Sequence, residues 1–252
     1  MEVLLFGGTT EGRRLAEWLD ARNTCSVVAC TATEYGASLI TEGANITRMV
    51  GPLSHDDKRV LMEQHDFVCI VDTTHPYAEH ISASIDELAR SYAKDVVRLT
   101  REVGPTGSWT SVANAREAAR MVAAKEGVVL LTTGTNDLRT FVDAMVDYTE
   151  RLYVRILPTP ESLARTLELG IPASHVIAMQ GPFSAQLNRA LLEELQAKVL
   201  VTKRSGAAGG FEQKVQAARE CGVELVVVER PHKEKGLSLG EAQALLEERY
   251  GL

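Results

Sequence analysis

The sequence predicts an α/β protein made of two Rossmann-like domains, with parallel sheets that face each other across a cleft. Short apolar runs alternate with helix-like segments along the whole chain. The runs are apolar at successive positions, which is typical of parallel strands covered by helices on both faces. A glycine-rich turn follows the first run, as in domains that bind a dinucleotide at the end of a first strand.

The predicted elements follow one another in regular βα order. Strands are predicted over residues 3–6, 26–30, 67–71, 96–99, 128–132, 152–156, 175–179, 199–202 and 225–228. Helices are predicted over residues 12–22, 78–94, 115–124, 137–146, 160–169, 184–195, 210–221 and 239–250. The segment 100–108 is rich in Gly and Pro and follows a strand, so we expect an N-terminal domain over 1–100 and a C-terminal domain over 101–252.

Composition excludes several classes of protein. The 252 residues include 27 Lys and Arg against 34 Asp and Glu, a net charge of −7 that disfavours nucleic-acid or anionic-membrane partners. No apolar run reaches the length of a membrane span and no basic leader is present, so we expect a cytoplasmic protein. The four cysteines form no C-x-x-C pair and stand apart from the histidines, which predicts buried thiols and no metal site.

The first predicted strand runs into a glycine-rich loop. The loop consists of Gly7, Gly8, Thr9, Thr10, Glu11, Gly12 and Arg13. Such a turn lets backbone N–H groups and the positive end of a helix meet a phosphate. Arg13 and Arg14 replace the Lys and Ser/Thr of a P-loop, which excludes a nucleoside-triphosphatase. A tight turn without a ligand remains an alternative.

The end of the second predicted strand favours NADP over NAD. NAD sites usually place an acidic side chain there to accept from the ribose 2′-hydroxyl. Here the residues are Thr31, Ala32 and Thr33. Their hydroxyls, with Arg13 from the loop, would suit a 2′-phosphate. Glu34 stands one residue further on, so NAD stays open.

Polar residues follow most of the other strands, where ligands bind in open α/β sheets. Basic side chains collect at these ends although the chain is acidic: Arg101, Arg155, Lys203, Arg204, Arg230 and His232. A local positive region of this kind would attract a small polyanion. The alternative for each position is a helix cap, a turn residue or a solvated charge.

Several motifs together resemble the precorrin-6A and cobalt-precorrin-6A reductase family. The motifs are the loop at 7–13, His75-Pro76-Tyr77-Ala78 with Ile81-Ser82, 133–138, 181–184 with Asn188, 202–206 with 209–210, and Arg230-Pro231. They span the whole chain in the family's order. The resemblance implies NADPH-dependent reduction of a C=C bond of precorrin-6A, or its cobalt form, to precorrin-6B in cobalamin biosynthesis. The implied partner is a corrinoid macrocycle edged with carboxylates.

The resemblance also implies roles for individual residues. The conjugated substrate could stabilise the electron pair without a strong general acid. For a proton donor, if the reaction uses one, we expect His75 first, then Asp72 or Tyr77, because they follow a strand of the cofactor domain, although His75 and Pro76 could instead form only a rigid turn. In the cofactor site we expect the loop residues above, Thr31, Thr33, Gly134, Thr135, Asn136, Asp137, Ser184, Lys203, Ser205 and Gly206. For substrate carboxylates we expect Arg155, Lys203 and Arg230.

A short-chain dehydrogenase requires Tyr-x-x-x-Lys, and no tyrosine here has a lysine four residues later. A non-catalytic NADP-sensing module, or another NADP-dependent reductase of a small polyanion, remains an alternative.

Overall fold

The computed structural model describes residues 1–75, 77–100, 107, 109–206, 209–230 and 236–252. The chain forms two compact units, Met1–Glu102 with Lys233–Leu252, and Val103–His232. Both contain a parallel sheet with helices, which confirms the predicted α/β class. The cleft expected between the domains stays a prediction.

The first unit contains a five-stranded parallel sheet. Its strands are β1 (Glu2–Phe6), β2 (Ser26–Thr31), β3 (Ile46–Val50), β4 (Phe67–Asp72) and β5 (Val96–Arg98), in the order β3-β2-β1-β4-β5. The helices between them are α1 (Thr10–Arg22), α2 (Glu34–Ser38), α3 (His55–Gln64) and α4 (Glu79–Ser91). This order reverses direction at β1, which leaves a crevice at the C-terminal strand ends, where α/β proteins bind ligands.

The central strand β1 is buried on both faces, as the sequence predicts. Leu4 and Phe6 pack in one core with Leu61 of α3 and Ile85 of α4. On the other face, Val3 and Leu5 pack in a second core with Leu15 and Leu19 of α1. Both faces therefore exclude water, and the strand ends are the part of this sheet left available for a ligand.

The second unit contains a six-stranded parallel sheet. Its strands are β6 (Thr110–Val112), β7 (Val128–Leu131), β8 (Leu152–Ile156), β9 (Val176–Ala178), β10 (Ala197–Lys203) and β11 (Glu224–Val228), in the order β6-β11-β10-β7-β8-β9. Its helices are α5 (Ala115–Ala123), α6 (Leu138–Ala144), α7 (Tyr148–Arg151), α8 (Pro160–Glu168), α9 (Ala185–Glu194) and α10 (Phe211–Cys221). The order reverses between β7 and β10.

The last helix, α11 (Leu239–Tyr250), belongs to the first unit. Backbone hydrogen bonds join Leu237 to Arg98 and to Thr100, each at 2.9 Å, so the chain returns beside β5. Ala242 and Leu246 then enter the core formed by β1 and α1. The predicted C-terminal domain over 101–252 is corrected accordingly, because the apolar face of α11 is buried against the first sheet. Most of the predicted boundary segment lies outside the described residues.

Two smaller predictions concern membranes and thiols. Within the described ranges, no helix has the length and apolar character that crossing a membrane requires. Cys25, Cys30 and Cys69 are buried and Cys221 is partly buried, and all four thiols are free. The prediction of reduced, largely buried cysteines is confirmed.

Candidate active site

A cavity of about 400 Å³ lies at the C-terminal ends of β1, β2, β3 and β4 in the first unit. Its walls are Phe6, Gly7, Gly8, Cys30, Thr31, Ala32, Thr33, Gly36, Gly51, Pro52, Leu53, Thr74, His75, Ala78 and Ile81. Five of these residues, Gly7, Gly8, Thr31, Thr33 and His75, are site residues expected from the sequence. The reversal of strand order at β1 brings them together.

The glycine loop brings the start of α1 close to the end of β4. Thr9 caps α1 by accepting from the backbone N–H of Gly12 at 3.2 Å, and it donates to the carbonyl of Thr73 at 2.8 Å. A Cβ on Gly12 would lie 2.3 Å from the Thr73 hydroxyl, so only glycine permits this approach. Gly8 has a φ of +112°, a conformation that favours glycine. The N-terminus of α1, the positive end of the helix dipole, therefore begins two residues after Gly8, which lines the cavity.

Three other loop residues lie in the first turn of α1. Thr10, Glu11 and Arg13 are partly buried, and none is among the described residues that line the cavity. The guanidinium of Arg13 lies 3.7 Å from the carboxylate of Glu17, one turn along the helix. The structure therefore does not place Arg13 at the end of β2, where the sequence predicts that it contacts a 2′-phosphate.

The end of β2 contributes two threonines to the cavity wall. Thr31 and Thr33 both line it, and Thr33 also caps α2 by accepting from the backbone N–H of Gly36 at 3.0 Å. Among the described residues that line the cavity, none is Asp or Glu. The acidic side chain typical of an NAD site is thus missing from these walls.

Asp72, at the end of β4, is committed to a buried ion pair. Its carboxylate accepts from the guanidinium of Arg98 on β5 and from the backbone N–H of Thr74 at 2.9 Å. Arg98 also donates to the hydroxyl of Ser82, which lies 3.2 Å from the Thr74 hydroxyl. The pair fixes the cavity wall at Thr74. A carboxylate that already accepts from an arginine and a backbone N–H is poorly suited to the proton-donor role considered for Asp72.

His75 is exposed and forms part of the cavity wall. Its Nδ1 lies 3.4 Å from the backbone N of Tyr77, and the two rings are 5.6 Å apart. Pro76, between them, lies outside the described residues. Cys30 also lines the cavity, but burial raises the pKa of its thiol to about 12. His75 is therefore the better candidate of the two for a proton donor.

In the second unit, an ion pair spans the point where strand order reverses. Lys203, at the end of β10, lies 2.9 Å from the carboxylate of Asp137. Gly134, Thr135 and Asn136 form the turn that leads from β7 to Asp137. These five predicted residues thus lie together at the ends of two neighbouring strands.

The remaining predicted residues occupy nearby loops of the second unit. Ser184 caps α9 by accepting from the backbone N–H of Leu187 at 3.2 Å. Ser205 and Gly206 follow β10, and within the described part of the chain the buried hydroxyl of Ser205 has no hydrogen-bond partner. The Nε of Arg230 donates to the carbonyl of Arg204 at 3.2 Å. Of the expected basic residues, Arg101 and His232 lie outside the described part of the chain.

Arg155, on β8, is buried rather than presented at the surface. Its Nη1 donates to the Oδ1 of Asn188 at 2.8 Å, and its Cζ lies 4.6 Å from the ring centre of Phe183. Burial lowers the pKa of Arg155 to about 10, so the guanidinium is still charged at neutral pH.

Lys214, on α10, was missed by the sequence analysis. It is 8% exposed, and its Nζ donates to the carbonyl of Gly209 at 3.0 Å. Burial, and secondly the charge of Arg155, lower the pKa of Lys214 to about 7. The missed signal was helical spacing, because Phe211, Lys214 and Ala217 follow at intervals of three on the buried face of α10.

A family model described as Precorrin-6x reductase CbiJ/CobK matches residues 2–247. The chain belongs to this reductase family. The resemblance stated from the sequence motifs is therefore confirmed.

Relatives within the reductase family match over nearly the whole chain. A cobalt-precorrin-6A reductase of Methanothermobacter thermautotrophicus is 36% identical over 235 residues, covering 92% of this chain and 77% of the relative. One of Priestia megaterium is 32% identical over 237 residues, covering 93% and 92%. A precorrin-6A reductase of a Sinorhizobium species is 27% identical over 238 residues, covering 90% and 84%.

A solved structure of the reductase family has the same fold. It is described as CobK precorrin-6A reductase, is 23% identical, and superposes with a TM-score of 0.77 over 98% of this chain and 97% of its own. The similarity confirms the fold of the chain.

Proposed function

We propose that this chain uses NADPH to reduce a C=C bond of cobalt-precorrin-6A, giving cobalt-precorrin-6B in cobalamin biosynthesis. The observation that carries the proposal is the cavity at the ends of β1, β2 and β4, which has glycine walls and no carboxylate among the described lining residues. It lies where a sheet of this strand order binds a dinucleotide. Membership of the reductase family gives the class of substrate.

The hydrogen-bond donors of the first unit suit the phosphate groups of NADPH. Gly8 lets a pyrophosphate approach the backbone, and the positive end of α1 favours its negative charge. Thr31 and Thr33 offer hydroxyls to a ribose 2′-phosphate, with no carboxylate among the described cavity walls to repel it. NADPH, when bound, supplies the hydride for the reduction.

The residues of the chain then have to position the reactants and supply a proton. The Asp72–Arg98 pair holds Thr74 and the adjoining wall in place. His75 is the candidate donor of the proton that is added to the carbon next to the one reduced. Tyr77 orients that imidazole through its backbone N–H.

The comparisons favour the cobalt form of the substrate. Relatives named for the cobalt compound are 26–36% identical to this chain, four of them at 31% or more, whereas two named for precorrin-6A are 27% and 28% identical. Reduction of the metal-free compound is the second candidate. Both substrates carry acetate and propionate groups, for which Arg155, Lys203 and Arg230 are the proposed partners.

The experiment is an anaerobic assay of NADPH oxidation with cobalt-precorrin-6A and, in parallel, with precorrin-6A. We expect oxidation that depends on the cobalt compound and gives a product heavier by two hydrogen atoms. A His75→Gln variant separates proton donation from binding, since it should lower kcat while the affinity for NADPH is kept. Tight NADPH binding without reduction of either compound would contradict the proposal and favour a non-catalytic NADP-sensing module.

A further inference from the structure

Two cationic side chains share one layer between the second sheet and its helices. Side chains alternate along a strand, so Arg155 projects to the same face of β8 as Tyr153. Tyr153 packs in the core cluster that contains Phe211 and Ala217 of α10. Lys214 lies between those two residues on the buried face of α10. Arg155 and Lys214 therefore both enter the layer beneath α9 and α10.

Neither cation has an anionic partner in the described part of the chain. Arg155 has one hydrogen bond, to the amide oxygen of Asn188, and it stacks on Phe183. Lys214 has one hydrogen bond, to the carbonyl of Gly209. Two like charges buried without a counter-charge oppose folding, because each loses hydration and they repel one another. Such an arrangement points to an anion that comes from a ligand.

The backbone that Lys214 contacts lies beside a hydroxyl with unused hydrogen-bonding capacity. A Cβ on Gly209 would lie 2.0 Å from the Oγ of Ser205, so this serine adjoins the same backbone. Ser205 is 9% exposed, and its Oγ has no hydrogen-bond partner among the residues that the structure describes. Gly210 in turn approaches Phe183, over which Arg155 stacks. These contacts connect Arg155, Phe183, Ser205 and Lys214 to the backbone at the start of α10.

We propose that Arg155 and Lys214 form a binding site for one carboxylate side chain of the corrinoid substrate, with Ser205 as a further donor. The guanidinium and the ammonium would each donate a hydrogen bond to the carboxylate, and the serine hydroxyl would donate a further one. The inference rests on the proposed function for the identity of the carboxylate. It adds Lys214 and Ser205 to the substrate contacts.

The surroundings of Lys214 determine how it responds to an anion. Arg155 is the charged group whose field lowers its pKa. From α9, Asn188 is neutral, and Arg189 pairs with Glu193 and Glu220 at the exposed helix surface. From β10, Lys203 pairs with Asp137. A bound carboxylate would therefore add a negative charge that none of these described neighbours supplies, and it would make Lys214 take up a proton at pH 8.

The test measures proton uptake on binding by calorimetry at pH 8 in buffers of different ionisation enthalpy. The probe is cobyrinic acid, a cobalt corrin with free carboxylates, and the control ligand is its fully methyl-esterified derivative. We expect the wild-type protein to bind the acid with uptake of nearly one proton and to bind the ester with none. Lys214→Met should abolish the uptake and weaken binding of the acid by about 10- to 100-fold.

Two further variants serve as a control and as a second test of the site. Lys198→Met removes an exposed lysine of the same unit and should behave as wild type. Arg155→Gln keeps a side chain that can bond Asn188 and should weaken binding of the acid alone. Equal affinity and equal proton uptake in wild type and folded Lys214→Met would overturn the inference. If the protein takes up the proton on binding the acid but reduces neither precorrin, the carboxylate site is supported and the proposed reaction is contradicted.

Discussion

Arg98 on β5 binds the carboxylate of Asp72 at the end of the neighbouring strand β4. Asp72 is 1% exposed, and it also accepts from the backbone N–H of Thr74 in the cavity wall. The pair thus connects the edge strand of the first sheet to the residues that form the candidate cofactor site. Its role is to position that wall.

Replacement of Arg98 by Met should destabilise the protein, because Asp72 would keep a buried charge without its partner. We expect the free energy of unfolding to fall by about 3–5 kcal/mol, measured by urea denaturation. Arg48→Met is the matched control, because Arg48 pairs with Glu42 at the surface and its loss should change stability by less than about 1 kcal/mol. Equal effects of the two variants would show that the Asp72 pair is not structurally important.

Gly12→Ala should separate α1 from the end of β4. The new Cβ would lie 2.3 Å from the Thr73 hydroxyl, so the helix or the loop must move. We expect a loss of about 1–3 kcal/mol in the free energy of unfolding, together with weaker NADPH binding in a fluorescence titration. Gly240→Ala, where no atom lies within 4 Å, should leave both unchanged or raise stability slightly. Wild-type NADPH affinity in Gly12→Ala would argue against the proposed pyrophosphate site.

Thr33→Asp should change the choice of cofactor. Aspartate caps a helix as well as threonine does, so α2 should form normally. Its charge would repel a 2′-phosphate and accept from the 2′-hydroxyl of NADH. We expect the Kd for NADPH to rise roughly 10- to 100-fold and that for NADH to fall. Thr33→Asn supplies the same cap without the charge; if it shifts the two affinities equally, electrostatics at β2 does not set the preference.

The stability of the protein should rise with pH above 7 because of Lys214. Its pKa is about 7 in the folded protein, against an ordinary value of 10.5, so the unfolded chain binds one more proton between these values. The folded state is therefore favoured as pH rises, and the burial penalty is largest below pH 7. Relative to Lys214→Met, wild type should gain about 1.4 kcal/mol per pH unit above pH 7. Parallel pH profiles would contradict the buried, uncompensated charge.

The interior strands could be predicted from the sequence, and so could the edge strands β5 and β9, but the edge strands β3 and β6 could not. β1, β4, β7 and β10 are continuous apolar runs because helices cover both of their faces. β3 was missed because Arg48 and Val50 are exposed at the sheet edge, and β6 because it has only three residues. Local pattern also gave no sign that α11 returns to the first unit, since a helix face does not specify which sheet it covers.

The candidate site was predictable where it depends on strand ends. Gly8, Thr33 and His75 were found because parallel topology places the ends of β1, β2 and β4 side by side. The ion pair between Asp72 and Arg98 could not be predicted from the sequence, since it depends on the register between β4 and β5. Lys214 was missed because a lysine within a helix is usually solvent-exposed, and its burial follows from how α10 packs on the sheet.

The most direct test of the central claim is the mass of the product formed from cobalt-precorrin-6A with NADPH deuterated at the reactive carbon of the nicotinamide. The account predicts a product that has gained one deuterium from the cofactor and one proton from solvent, with equal consumption of NADPH. Unchanged substrate after incubation with cofactor-bound protein, or a reduced product without deuterium from the reactive position, would contradict it.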